Sequence, residues 1–211
     1  MNTIGSKAGD ESGNGAATGT CFTAGPVAFT DTGKALIEVI EVPSLSPVGG
    51  TQPWFIGLAV YRSELLPVTD FTHWAGLSNA PFNALAKQTA GKHSVAKNAR
   101  ENYGSSRRIL VVQHRGGTGT QGEKVGLLDD DVSGHVSIEQ SVMEMSGRDS
   151  IVQALHRQLD NAGGANEALL QLIKGAWLSN EPVFVVDLQQ LFNMKSFTSV
   201  ALPAQREEAL H

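Results

Sequence analysis

The chain has 211 residues, with 41% hydrophobic and 18% charged residues, 23 glycines, one cysteine and a formal charge of −5. That composition is too apolar for wholesale disorder, too acidic for a dedicated nucleic-acid binder, and its lone Cys21 excludes internal disulfides and cysteine-based zinc clusters. The longest apolar stretch, Trp54 to Tyr61, is less than half a membrane span, and Met1 to Gly19 lacks the apolar core of a signal peptide, so the expectation is a cytoplasmic protein with no direct membrane insertion.

Residues 1–20 are small and polar and read as a disordered tail. The run Ala35 to Val42 (ALIEVIEV) favours a strand, because it is β-branched and stops at Pro43. After a turn-rich stretch, WFIGLAVYRSELLPVTDF (54–71) breaks into two apolar runs around Arg62-Ser63-Glu64, which predicts a β-hairpin. Pro67 has no N–H to donate, so its strand is expected at an edge or with a bulge. Residues 72–106 hold Ala-rich pieces suited to short helices. Between Lys87 and Arg115, seven basic residues stand against one acid, Glu101. That excess is either a solvated loop or a contact for an acidic partner.

Strands resume at Arg108–His114 and Lys124–Val132, joined by the Gly-rich RGGTGTQGE as a second hairpin with a long tip. Ile151, Val152, Leu155 and Leu159 have helical spacing, and EALLQLI adds a helical turn. The segment AWLSNEPVFVVDLQQLF then leads to a polar C-terminal tail.

Two distant segments resemble each other. GLAVYRSELLPVTDF starts at Gly57 and GAWLSNEPVFVVDL at Gly175; Glu64 and Asp70 recur 117 residues later as Glu181 and Asp187. In each, a glycine permits close backbone approach, a polar triplet turns the chain, and the final Asp turns it out of the strand. A repeat at about half the chain length predicts two similar β subdomains.

The first of these segments resembles the signature hairpin of the CheW-like family, G-x-x-N-x-R-G-x-x-L-P-V-[IV]-D-L, on Gly57, Arg62, Leu66, Pro67, Val68 and Asp70. KVGLLDDDVSGHV is similar to the family's G-L-x-V-D-x-V-x-G-V element on Gly126, Leu127, Asp130, Val132, Gly134 and Val136. LIKGAWLSNEPVFVVDLQQLF is similar to its closing element on Ile173, Lys174, Gly175, Asp187, Leu188 and Leu191. The departures are Val60 for Asn, Ser63 for Gly and Asp129 for Val, with insertions at about 72–106 and 140–168.

The resemblance implies a mainly β fold of two intertwined, SH3-like five-stranded barrels over residues 21–200, with short helices in the insertions and a tail at 201–211. It also implies a non-catalytic adaptor linking the cytoplasmic tip of methyl-accepting chemoreceptors to the regulatory domain of a CheA-type histidine kinase in polar arrays. The departures suggest the type IV pilus (twitching) branch, PilI-like or ChpC-like. The partner surface is expected at Val60, Tyr61, Arg62, Ser63 and Glu64. Gly57, Pro67, Asp70, Gly126, Asp130, Gly134, Gly175 and Asp187 are expected to be structural.

Catalytic, cofactor and metal readings are set aside. GTGTQGEK (117–124) has Glu123 where a phosphate-binding loop needs Lys, and a strand rather than a helix follows. Asp129, Asp130 and Asp131 alternate faces if they lie in one strand, so they cannot converge on one ion; Asp130 is expected to make structural hydrogen bonds. The six histidines show no helical metal spacing, and Cys21 lies at the tail boundary. Arg62 is either a solvated arginine paired to Glu64 for under about 1 kcal/mol or, through the resemblance, a contact on the partner surface, a role that suits its planar multi-donor fork.

Overall fold

The computed structural model describes residues 17–31, 35–78, 107–115, 122–138, 147–159, 167–177 and 182–202. Within these residues ten strands run in chain order: β1 Ala17–Ala24, β2 Val27–Asp31, β3 Leu36–Glu41, β4 Phe55–Tyr61, β5 Glu64–Asp70, β6 Arg108–Gln113, β7 Lys124–Asp129, β8 Asp131–Ile138, β9 Ile173–Trp177 and β10 Val183–Val186. Among the described residues, four short helices accompany them, α1 Phe71–Trp74, α2 Arg148–Gln158, α3 Glu167–Leu172 and α4 Lys195–Thr198, with a 3-10 helix at Leu188–Asn193.

The strands form two five-stranded sheets. A central sheet has the order β3-β6-β7-β5-β4, and a terminal sheet, built from both ends of the chain, has the order β8-β1-β2-β10-β9. Past β3 the chain curls back so that Ser46 exchanges both backbone hydrogen bonds with Leu58 (2.8 and 2.9 Å), which closes the central sheet towards a barrel. The expected mainly β fold of two five-stranded units is what the chain adopts.

The sequence repeat is one part of a larger duplication. The parallel pair β5/β7 recurs as β10/β2, and the hairpins β4/β5 and β6/β7 recur as β9/β10 and β1/β2. Even the irregularities recur. Ile56 is the extra residue beside Gly57 opposite Val68, and Lys174 is the extra residue beside Gly175 opposite Val185. Ile37 on β3 and Ser133 on β8 are skipped in the same way. The strands β3 to β7 therefore correspond to β8, β9, β10, β1 and β2, with the chain ends falling where the central sheet has its β5-to-β6 connection.

The core explains the uninterrupted apolar runs of β6 and β7. Ile109, Val111 and Leu128 point into a small cluster inside the central sheet with Val42, Ala59, Tyr61, Leu66 and Val68. Leu110, Val112, Val125 and Leu127 point the other way, into the main core shared with the terminal sheet and the helices. A strand buried on both faces reads as continuous rather than alternating. In the main core, Phe22 and Phe29 of the terminal sheet meet Phe71, which in turn stacks on Trp74, while Phe184 packs on Phe29, with ring centroids 5.6–6.1 Å apart. Helix α2, inside the second expected insertion, buries Ile151, Ala154 and Leu155 at helical spacing.

Several expectations are corrected. Strand β1 starts at Ala17, inside the stretch taken as tail, and FTAGPVAF is a hairpin of two interior strands. Cys21 is therefore mid-strand, opposite Thr30 and Gly134. At the other end, Ala201 bridges Thr51 and the Leu202 N–H donates to the Gly50 carbonyl at 2.9 Å, so the described chain stays bound past residue 200. KVGLLDDDV is not one strand: it bends at Asp130 and passes from one sheet to the other.

Strand β5 is interior, not an edge. Leu58 turns its N–H and C=O to Ser46, so the Leu58–Pro67 pair is not hydrogen-bonded across β4/β5. The Pro67 nitrogen thus faces β7, where pairing begins one residue later at Val68. No ladder bond is lost.

Candidate functional site

The expected partner surface is a hairpin tip. Arg62 (φ 49°) and Ser63 (φ 67°) both lie in the left-handed region, as a two-residue hairpin turn demands, yet neither is the Gly or Asn that adopts it readily. Each residue there costs about 1–2 kcal/mol. The tip is braced from β3. Arg62 Nη2 donates to Glu38 Oε2 at 2.8 Å, and the Tyr61 hydroxyl donates to the same oxygen. The guanidinium also sits 5.1 Å from the Tyr61 ring centroid. The Arg62–Glu64 pairing does not form: Arg62 leans across to β3, while Glu64 at the head of β5 meets Lys124 at the head of β7 (2.5 Å).

The five expected contact residues do not share one surface. Val60 is 69% exposed, and Arg62, Ser63 and Glu64 are exposed with it. Tyr61 is buried at 6% and belongs to the inner core, so it supports Arg62 rather than presenting its ring. Two residues were missed. Leu65, 70% exposed, stands directly opposite Val60 and completes an apolar pair beside the charged tip. Strand alternation carries that signal, because Leu66 and Val68 face inward. Glu38 had no local signal, since its role depends on β3 lying next to the turn.

The structural residues are placed as follows. Gly57 has φ 138°, and a Cβ there would lie 2.4 Å from the Ser46 carbonyl oxygen, so glycine is required where the sheet closes. Gly126 leaves room for Ile109, Leu66 and Val68. Gly134 and Gly175 lie beside the duplicated irregularities. Asp70 and Asp187 are equivalent caps. Asp70 Oδ1 accepts from the His73 N–H (2.9 Å) at α1, and Asp187 Oδ1 accepts from the Gln189 N–H (3.1 Å) at the 3-10 helix. Asp130 joins the sheets: Oδ2 accepts from the Gly25 N–H (2.8 Å) and the Thr72 hydroxyl (3.2 Å), and Oδ1 from Arg107.

Arg107 is accordingly taken out of the basic segment, held by Asp130 and, at 3.8 Å, by Asp70. Lys87 to Arg100 lie outside the described residues. Among the described residues, no three His, Cys, Asp or Glu side chains converge as a metal site. Burial raises the Cys21 thiol pKa, against the thiolate character a nucleophile needs. Asp129 and Asp131, expected on one face, separate at the bend: Asp129 is buried and Asp131 exposed. No described helix is long and apolar enough to cross a membrane.

A family model described as the CheW-like domain matches residues 21–196. Among solved structures, the chain is similar to the scaffolding protein TtCheW from Thermoanaerobacter tengcongensis, at 15% identity and a TM-score of 0.57, over 90% of this chain and 96% of that one. No curated protein matches the sequence significantly.

Proposed function

The chain belongs to the CheW-like family, and from that premise we propose that it is a non-catalytic adaptor in a chemosensory array, coupling the cytoplasmic tip of methyl-accepting chemoreceptors to the regulatory domain of a CheA-type histidine kinase. It acts in the cytoplasm at polar arrays, in the branch that serves type IV pilus twitching motility. The observation that carries this reading is the β4/β5 tip: an exposed arginine, braced by Glu38 and flanked by the exposed Val60–Leu65 pair. A held guanidinium beside apolar surface suits protein recognition, because little side-chain entropy remains to be lost on docking. The alternative is recruitment of an acidic partner through the basic insertion, whose Lys87 to Arg100 lie outside the described residues; Arg107, just beyond it, is engaged internally.

The test is pull-down of the kinase regulatory domain and a receptor-tip fragment from the same organism. Arg62→Glu should weaken at least one complex by about tenfold or more, the scale of a single interface anchor. Undiminished capture of both, with an unchanged circular dichroism spectrum, overturns the site.

A further inference from the structure

The chain crosses from the central to the terminal sheet at Asp129-Asp130-Asp131, and the buried Asp129 and the half-buried Asp130 are treated very differently. Asp130 is fully engaged, by Gly25, Thr72 and Arg107, and its own N–H donates to the Thr23 carbonyl of β1 at 3.2 Å. Asp129 is only 1% exposed, and neither carboxyl oxygen makes a hydrogen bond. By alternation it follows Val125 and Leu127 onto the face turned towards the other sheet. It stands where the CheW-like pattern has valine.

We propose that Asp129 is a proton-sensitive joint between the two sheets, closed when its carboxyl is protonated and loosened when the proton leaves to water. A buried carboxylate that no donor meets at hydrogen-bond geometry is strongly unfavourable, so the chain either keeps the proton or lets water in. Letting water in strains the adjacent Asp130 contacts, which tie the crossover to the β1–β2 turn, to α1 and to Arg107. The surrounding charges do not remove the penalty. Asp130 adds a like charge beside it, while Arg107 is already divided between Asp130 and Asp70. Arg108, opposite Asp129 in register, turns a guanidinium nitrogen to the Arg107 carbonyl at 2.9 Å. Beyond these stand Glu41, across from Arg108 on β3, and His73 on α1; β1 offers only backbone at Thr23.

Burial first, then the Asp130 charge, pushes the Asp129 carboxyl from 3.8 up to about 8; the amides of Asp130 and Thr23 lie near enough to oppose this although neither is placed to form a hydrogen bond with it, and the charge of Arg107 opposes it weakly. Its contribution to stability is therefore complete below about pH 3.8 and is lost as pH rises through about 8.

The test is an NMR titration of the aspartate side-chain carboxyl carbons of the full chain, with amide exchange measured from pH 6.5 to 9. An Asp129 midpoint above 6.5 supports the proposal, and one below 6.5 overturns it. In the wild type, protection of the Gly25 and Asp130 amides should fall by about tenfold relative to Leu110 across that range, as expected for a joint that opens when one proton leaves. Asp129→Asn and Asp129→Val should abolish the relative loss. An equal loss in Asp129→Asn overturns the assignment to Asp129. The titration uses the unaltered chain, so it decides the matter even if the valine variant does not fold.

Discussion

Glu38 and Arg62, 24 residues apart in sequence, are joined by a 2.8 Å ion pair that spans from β3 to the β4/β5 turn. The same carboxylate takes the Tyr61 hydroxyl, so one acidic residue sets both the buried and the exposed side chain of the tip. The Arg62 partner is 69% exposed and screened by water, and the pair contributes little to folding. Its value lies in holding the guanidinium.

Glu38→Ala should therefore separate stability from binding. Most of its stability cost comes from the orphaned Tyr61 hydroxyl, about 1–2 kcal/mol by urea denaturation. Glu38→Gln keeps an acceptor for Tyr61 and should recover most of that loss. Glu38→Ala should weaken partner capture because it releases Arg62, and Glu38→Gln should weaken it less, because a neutral oxygen still accepts from Arg62 without the charge. Full capture by Glu38→Ala would show that the brace does not matter to recognition.

Ser63→Gly should stabilise the protein. The serine is held at φ 67°, where glycine carries no steric penalty. Glycine's larger unfolded-state entropy offsets part of the gain, leaving about 0.5–1 kcal/mol. The reading is a higher urea midpoint at unchanged m-value. A lower midpoint would mean that Ser63 makes a contact worth more than the strain.

Asp70 gives a second pH effect of the same sign. Burial raises its carboxyl pKa, against the pull of the His73 N–H and of Arg107. A carboxyl raised in the folded state contributes stability that is present below its unfolded pKa and lost as pH rises through the folded one. Asp70→Asn keeps an oxygen to cap α1 but cannot ionise. Its melting temperature should fall less steeply than that of the wild type above pH 4. Parallel profiles would rule out a raised Asp70.

Much of the fold is legible in the residues, and the limits have physical causes. The β4/β5 hairpin, the Gly57 approach, the Asp70 turn and the 117-residue recurrence follow from local chemistry. Pro67 misled because the rule about edge strands assumes pairing along the whole strand, and β7 meets β5 only from Val68 onward. The rest of the duplication was hidden by its rotation through the chain ends, which places β1/β2 against β6/β7 with little shared sequence. At the site, Val60 and Arg62 were visible, whereas Glu38 acquires its role only when β3 arrives beside the turn. Tyr61 looked like surface because a hairpin aromatic is equally compatible with either face.

The rotated duplication also bears on synthesis. The central sheet is contiguous, so all five of its strands have emerged once Asp129 has left the ribosome. The first hairpin made, β1/β2, waits longest: β8 reaches β1 only after the middle of the chain, and β2 meets its parallel neighbour only when Val183 to Val186 appear. Until then two Phe-bearing strands that end up interior present open edges, the kind of surface that misassociates during vectorial folding. The last strand of the terminal sheet to be made, β10, is the one that covers the open edge of the first hairpin, so its emergence, rather than the folding of the middle, is the step at which this sheet becomes safe from aggregation.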